Sequence, residues 1–296
     1  MGEGVGKVQA GLIHRIARRR AVVQIGPAAA FYGLFFVAPV LILFVLSFWS
    51  MRGFTLLPGF TASNYIEVIT SSLYRTVLIR TLMVGFGTAC IVVPIAYVLS
   101  YLMRFVFVQQ AQLIFHLIVV SMFSGYLVRI YAWRTILGKD GLLNTILLQL
   151  HLIDEPLRFL IFSNWAVVLT LVGLLIPLAL LPIYSSMSNV SREHLEAARD
   201  LGSTWTHIHR TILIPMVLPG LRIAFAFAFL LAVGDFVVPA LVGGTQGLMA
   251  GNVIADQFRG IGSNWPLGAA LAFVVMAGVM GVYLVIARMI MEATRW

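Results

Sequence analysis

Four residues near the edges of apolar segments have side chains that could interact with a charged solute: Asp235, Tyr126, Arg129 and Trp133. Asp235 is the one acid in the apolar segment 223–242, and an ionisable residue in such a segment usually faces protein or a water-filled path. Tyr126 and Trp133 are seven residues apart and share a helix face, so their rings could clamp an amine. Together these residue types predict a site on a path for a cation.

Each of these residues also has an explanation that involves no solute. Asp235 could be a helix-end carboxylate that pairs with an arginine or with a neighbouring subunit. Arg129 and Arg134 could extend from the membrane into water, and the aromatic rings could belong to the belt at the membrane surface. The sequence leaves these alternatives open, together with a role of the two arginines in gating or in docking another protein.

The sequence contains no constellation that would support catalysis. It has no G-x-S-x-G nucleophile elbow, no H-E-x-x-H metal motif and no Walker phosphate loop. His207 and His209 are two residues apart, so on a helix they would point to different faces rather than hold a metal together. Cys90 lies alone in an apolar run. We therefore predict that the chain is not an enzyme and has no cofactor of its own.

The composition indicates which elements position these residues. Apolar residues make up 60% of the chain and charged residues 10%, whereas soluble domains have about 45–50% and about 25%. The net charge of +9 comes from basic residues scattered singly between apolar segments, apart from the N-terminal run HRIARRR. This scatter argues against a nucleic-acid-binding face. The chain is therefore predicted to be an all-α membrane protein.

Charge-free windows define the membrane segments. Residues 21–51, 81–103, 105–128, 159–191 and 260–287 contain no Asp, Glu, Lys or Arg, and 223–242 contains only Asp235. A bilayer core about 30 Å thick needs about 20 helical residues. Trimming the windows at Pro, Gly and polar clusters predicts six transmembrane helices, near residues 27–50, 79–103, 112–136, 166–187, 219–240 and 267–290.

Positive charges indicate the orientation of the chain. Five Lys or Arg residues precede the first segment and Arg52 follows it, which predicts that both termini are cytoplasmic. The first apolar segment has about 24 residues, too many for a signal peptide, and therefore anchors the chain. In the absence of a linker or an internal repeat, we predict a cytoplasmic segment at 1–26 and one transmembrane domain at 27–296. Four tryptophans fall at the predicted outer ends, as in an aromatic belt: Trp49, Trp133, Trp165 and Trp265.

A polar segment, residues 188–218, forms the longest predicted cytoplasmic loop. Ser191 can cap a helix with Glu193 in its first turn, and Gly202 supplies the left-handed residue at which helices often end. A second helix is predicted from Thr204, until Pro215 and Pro219 break the chain before the next span.

The first helix of this loop is amphipathic. Leu195, Ala198 and Leu201 recur at three-residue spacing on one face. The small pair Ala197 and Ala198 would let another protein approach the backbone closely. Such a helix is typical of a docking surface but also of a solvated linker, and the physics alone leaves both open.

The same loop resembles the EAA loop of the permease subunits of bacterial ABC importers. The stretch EAARDLGSTWTHIHRTILIPMVLPG matches the pattern of EAA, three residues, Gly, nine residues and Ile-x-Leu-Pro, with Ile214 where Leu is usual. The resemblance implies a coupling helix that fits a groove on an ATPase subunit. The positions that it assigns to ATPase coupling are Glu196, Ala197, Ala198, Arg199, Asp200, Gly202, Ile212 and Pro215.

Further stretches extend the resemblance over roughly residues 30–290. LVRIYAWRTILGKDGLLN (127–144), LPIYSSM (181–187), GDFVVPALVGG (234–244) and GNVIADQF (251–258) are similar to spermidine/putrescine-type permeases, in particular the PotB-like member of the permease pair. The resemblance implies a polyamine or a related organic cation as the solute. The same architecture also serves iron, thiamine, phosphonates and opine-like compounds, so these solutes stay open.

The resemblance also implies the fold and the assembly. The fold would be a MetI-like, type I ABC importer permease in the bacterial inner membrane, whose fifth helix commonly lines the path. The implied partners are an ABC ATPase dimer, a second, non-identical permease, a periplasmic or extracytoplasmic solute-binding protein and membrane lipid. ATP and Mg²⁺ would bind to the ATPase. A secondary carrier or channel without an ATPase is the alternative from another class, and it would predict inverted repeats.

Overall fold

The structure is a bundle of helices with one small hairpin. The computed structural model describes residues 25–53, 55–259 and 263–293. The strands β1 (Ser50–Arg52) and β2 (Thr55–Leu57) pair antiparallel, with Met51 opposite Leu56. In chain order the helices are α1 (Ile25–Leu46), α2 (Ser63–Thr70), α3 (Ser72–Tyr101), α4 (Ala111–Phe123), α5 (Tyr126–Leu137), α6 (Leu142–Gln149), α7 (Asn164–Ser188), α8 (Arg192–Asp200), α9 (Trp205–Gly234), α10 (Ala250–Arg259) and α11 (Trp265–Ala293).

Within the described ranges, 5 helices are long and apolar enough to cross a membrane: α1, α3, α7, α9 and α11. A sixth crossing is formed if α4 and the helical stretch Tyr126–Gln149 count as one span with a bend of 100°. The span predicted near 112–136 is therefore two helices with a bend between them, and the predicted count of six agrees with the bent pair. The chain turns because Ser124 is extended, and its hydroxyl donates to the Ser121 carbonyl at the end of α4 (2.8 Å).

The fifth span begins earlier and ends earlier than the predicted 219–240. α9 runs without a break from Trp205 to Gly234, so Pro215 and Pro219 do not separate a loop helix from the span. A proline removes one backbone donor from a helix. The π-helical turn His209–Leu213, directly before Pro215, changes the hydrogen-bond spacing there and lets the chain continue.

The core of the bundle is formed by α3, α7 and α9. Their fully buried side chains include Val92 of α3, Leu180 and Ile183 of α7, and Phe229 of α9. α7 is the most buried of the spanning helices, with 56% of its apolar window inside the protein. Pro177 and Pro182 lie inside this helix, and a span that loses backbone hydrogen bonds to proline is stable within protein rather than in lipid, which agrees with this burial.

The first helix lies at the edge of the bundle. None of its apolar window is buried, and its packing contact with α11 includes the rings of Phe44 and Phe273, whose centroids are 5.1 Å apart. A helix that is apolar on all sides and unburied in one chain must be covered by lipid or by another chain.

Glycines allow the core helices to approach each other closely. A Cβ on Gly220 of α9 would overlap the Pro182 carbonyl oxygen and the Ser186 side chain of α7. Small residues at such crossings are typical of helices that pack within a membrane. The contact between α7 and α9 therefore depends on the absence of a side chain at this position.

We predict that Gly220→Ala destabilises the protein, because overpacking a tight contact costs about 1–3 kcal/mol. The matched control is Gly87→Ala on α3, where a Cβ would meet nothing within 4 Å. Thermal unfolding of the detergent-solubilised protein should give a lower Tm for Gly220→Ala and an unchanged or higher one for Gly87→Ala. Equal Tm values for the two variants would contradict the close approach.

Candidate functional site

Two interruptions of the helices meet at one point of the structure. α9 ends at Gly234, and Asp235 is extended (ψ 130°). α5 starts at Tyr126, directly after the turn that ends α4. The Tyr126 hydroxyl donates a hydrogen bond to Oδ2 of Asp235. This bond joins the break in the third span to the break after the fifth.

The other oxygen of the Asp235 carboxylate binds backbone. Oδ1 accepts hydrogen bonds from the amides of Val237 (2.8 Å) and Val238 (3.1 Å), as in an N-cap. The neighbouring Phe236 carbonyl accepts a bond from Nδ2 of Asn252 (2.7 Å). Asp235 is therefore a helix-end carboxylate, as one of the two interpretations required, but its side-chain partner is Tyr126 and not an arginine.

Asp235 and Tyr126 also line a cavity of about 460 Å³. Arg129 lies on the same wall, and its Nε is buried without a hydrogen-bond partner among the described residues. The cavity thus has one carboxylate, one guanidinium and one phenol in an otherwise apolar lining. The apolar wall is formed by Met122, Leu171, Leu174, Leu175, Leu178, Leu230, Leu231, Gly234, Phe236 and Val237.

Trp133 does not join this cavity. Its ring packs on α7, where a Cβ on Gly173 would overlap it. The aromatic clamp expected from Tyr126 and Trp133 is therefore not formed, because α5 directs the tryptophan into the core instead. In the described part of the chain, no group of three or more His, Cys, Asp or Glu residues could hold a metal ion.

The helix α8 begins and ends where the sequence of the polar loop predicts. The Ser191 hydroxyl accepts a bond from the His194 amide (3.4 Å) at the start of α8. Gly202 has φ +83° and ends the helix. The Gly202 amide donates to the Arg199 carbonyl (2.8 Å) and the Ser203 amide to the Ala198 carbonyl (3.0 Å), which is the Schellman pattern. Local signals alone thus determine where α8 begins and ends.

The faces of α8 differ from the prediction at one residue. Leu195 is buried and Ala198 half-buried, but Leu201 is 88% exposed. Leu201 lies beyond the last helical residue, where the helical period no longer applies, and sequence reasoning therefore assigned it to the wrong face. The outward side of the loop carries most of the residues that the resemblance assigns to coupling: Glu196, Ala197, Arg199, Asp200 and Gly202 are exposed.

The last two of those residues lie on α9. Ile212 is half-buried and packs against the core, whereas Pro215 is exposed. Ile212 therefore holds the start of α9 on the bundle. The exposed ring of Trp205 also belongs to the outward surface. It lies beside Arg199, whose guanidinium is 4.8 Å from the centre of the ring.

Comparison with known proteins agrees with this arrangement. Residues 27–293 match the model of the family described as binding-protein-dependent transport system inner membrane component. The chain is 33% identical to the spermidine/putrescine transport system permease protein PotB of Haemophilus influenzae over 256 residues, which is 84% of this chain and 88% of that protein.

Solved structures with low sequence identity share the fold. A bacterial ABC transporter involved in the import of the acidic polysaccharide alginate superposes with a TM-score of 0.77 at 13% identity and covers 96% of this chain and 99% of its own. The MetNI methionine ABC transporter, in an inward-facing conformation, gives a TM-score of 0.53 at 17% identity over 76% of this chain and all of its own.

A family match over nearly the whole sequence and a bundle with the fold of ABC importer permeases lead to the same assignment. The chain is a multi-pass protein of the bacterial inner membrane and a transport component rather than an enzyme. It belongs to the family of binding-protein-dependent transport system inner membrane components.

Proposed function

We propose that this chain forms half of the translocation path of an ATP-driven importer for a polyamine, such as spermidine or putrescine, or for a related organic cation. The observation that carries the proposal is the leucine-lined cavity whose wall includes the Asp235 carboxylate. The similarity to PotB, whose name specifies spermidine and putrescine, supports the choice of solute.

The cavity matches both chemical parts of a polyamine, its methylene segments and its ammonium groups. Methylene segments would lie against the leucines of α7 and α9, and an ammonium group would approach Oδ2 of Asp235. Because Oδ1 accepts from two amides and Oδ2 from Tyr126, one acceptor site of Oδ2 is left for an ammonium, which competes with the tyrosine hydroxyl for any second bond. Arg129 in the same cavity repels a cation and shortens its stay.

The energy for transport enters through the polar loop. In this proposal Glu196, Ala197, Ala198, Arg199, Asp200 and Gly202 fit a groove on an ABC ATPase, with the exposed Leu201 as an apolar contact at the edge. ATP and Mg²⁺ bind to the ATPase dimer, and this chain supplies no group to hydrolysis. A second, non-identical permease completes the path, and a solute-binding protein delivers the solute on the outside. Both termini then lie in the cytoplasm.

The proposal is tested in liposomes that contain this chain with the proteins that co-purify from its native membrane. Radiolabelled spermidine should accumulate only when ATP is supplied on the side of the ATPase and the binding protein on the opposite side. Accumulation without ATP would instead indicate a secondary carrier. ATP-dependent uptake of another solute, without uptake of spermidine or putrescine, would support the assignment as an importer but contradict the proposed solute.

The first prediction for transport concerns the exposed loop. Glu196→Arg should reduce ATP-driven uptake to background while the chain still inserts and folds, because a longer side chain of reversed charge no longer matches the groove into which Glu196 fits. Glu67→Arg, at an exposed glutamate of α2 outside the loop, is the matched control and should retain uptake. Co-purification of the ATPase, measured beside uptake, should fall for Glu196→Arg. Full uptake by this variant would exclude docking at α8.

The second prediction separates the charge of Asp235 from its role as a helix cap. Asn caps helices as well as Asp does, so Asp235→Asn retains acceptors for the two amides and removes the negative charge. We expect the KM for spermidine to rise about ten-fold, equivalent to about 1.4 kcal/mol of lost attraction. Asp256→Asn on α10, at an exposed aspartate, is the control. Wild-type KM for Asp235→Asn would mean that the carboxylate serves only as a cap.

The third prediction concerns the competing hydroxyl. Tyr126→Phe removes the hydrogen bond to Oδ2 and leaves the carboxylate to the solute. The KM for spermidine should therefore fall several-fold, in the direction opposite to that of Asp235→Asn. The measurement is the concentration dependence of initial uptake in the same liposomes. A higher KM for Tyr126→Phe would mean that the hydroxyl supports the solute rather than competes with it.

A further inference from the structure

The cytoplasmic end of α3 is bonded to the start of α9. The Tyr97 hydroxyl and Nδ1 of His209 share a hydrogen bond of 2.7 Å, although the residues are 112 positions apart. The Tyr101 ring, one turn further along α3, lies 4.9 Å from the same imidazole. Trp205, whose ring carries the Arg199 guanidinium, approaches His209 from the other direction, with 6.3 Å between the ring centres. His209 therefore connects the coupling loop with α3.

Two arginines form hydrogen bonds between the end of α3 and the coupling loop, one from each side. Nη2 of Arg104, just after α3, donates to the carbonyl oxygens of Ser188 (3.1 Å) and Val190 (3.2 Å), at the end of α7. Nη2 of Arg192, at the start of α8, donates back to the Phe105 carbonyl (2.7 Å). Charged donors to otherwise free helix-end carbonyls make strong hydrogen bonds. The coupling helix is thus held to the end of α3 from both sides.

The opposite half of α3 is bonded to the segment that follows Asp235. The hydroxyl of Thr81, a fully buried residue, accepts a bond from the Ala250 amide (2.8 Å). Asn252, two residues further on, donates to the carbonyl of Phe236 (2.7 Å), the neighbour of Asp235. A short bonded route thus leads from α3 to the acid of the cavity.

We infer that α3 carries the movement of the coupling loop to Asp235, and that Tyr97 and Thr81 are the positioning residues at its two ends. The inference rests on the proposed function, because it requires an ATPase that moves α8. Tyr97 and Thr81 are 16 residues apart, which is about 24 Å of helix. Movement at one end displaces the Ala250–Asn252 segment and with it the Asp235–Tyr126 contact in the wall of the cavity.

The helix between the two ends is able to act as one body. Pro94 removes one backbone hydrogen bond from it and would allow a bend. The residues on both sides of the proline, Ala89, Val92 and Ala96, are 0% exposed and are packed into the core. A close-packed core transmits displacement rather than absorbing it. Gly85 adds a direct contact with α9, where its missing side chain makes room for Val233.

The test removes one hydroxyl at each end of α3 and measures ATP hydrolysed per spermidine imported by the reconstituted complex. Tyr97→Phe and Thr81→Val should each raise this ratio about five-fold or more, the lower limit of typical coupling between sites. Tyr101→Phe and Thr88→Val are the matched controls on the same helix. Tyr101→Phe leaves the Tyr97–His209 bond intact, and the buried Thr88 hydroxyl has no hydrogen-bond partner among the described residues. Both should keep the wild-type ratio.

The double variant distinguishes a shared route from two separate defects. Residues this far apart normally have additive effects. If α3 is the connection, Tyr97→Phe combined with Thr81→Val is no worse than the more severe single variant. Multiplied effects, or a wild-type ratio in either single variant, would overturn the inference. A wild-type complex that imports without hydrolysing ATP would instead overturn the proposed function, and thermal unfolding of each variant shows that a raised ratio is not a loss of fold.

Discussion

The structure depends most on the need to satisfy backbone polar groups where a helix breaks inside the membrane. Lipid offers no hydrogen bonds, so a break is stable only where side chains or other helices supply them. At the end of α9, the Asp235 carboxylate accepts from two amides, and Asn252 donates to the Phe236 carbonyl. At the end of α4, the Ser124 hydroxyl binds the Ser121 carbonyl. These few polar residues make the two turns possible.

The same requirement explains how a charged residue comes to line an apolar cavity. An acid in the bilayer costs about 2.5–3.5 kcal/mol at a helix centre, so it needs strong partners. Asp235 finds them in the amides of the segment that it caps and in the Tyr126 hydroxyl across the cavity. In the proposed importer, stability and solute recognition therefore draw on one carboxylate. Its bond to Tyr126 also links the two breaks.

The sequence predicts the parts of the fold that depend on local signals. Apolar windows indicated the spans, and Ser191 and Gly202 correctly indicated the ends of α8. The turn at Ser124 was missed because a charge-free window contains no information on direction and no proline marks the place. The two prolines in α9 predicted a break between the loop and the fifth span that is not present. The π turn before Pro215 lets the helix continue.

For the candidate site, the sequence predicts the types of residue but not their arrangement in space. Asp235 was selected as the one acid in an apolar segment, Arg129 as a charged residue at the end of a span, and Tyr126 with Trp133 because their rings share a helix face. The structure brings the first three to one cavity, whereas Trp133 packs on Gly173 instead. Pairs such as Tyr97 with His209 are separated by 112 residues, and their contact depends on how three helices cross. Neither periodicity nor spacing in the sequence contains that information.

A weak site is what a translocation path requires. A solute must leave the cavity as readily as it enters, so strong binding would slow transport. In the proposed importer, a carboxylate that is already engaged by three donors, beside a repelling arginine and a wall of leucines, attracts an amine without trapping it. Selectivity then lies mainly with the binding protein outside. In this proposal Asp235 becomes accessible to the solute when Tyr126 moves away and is covered again when it returns.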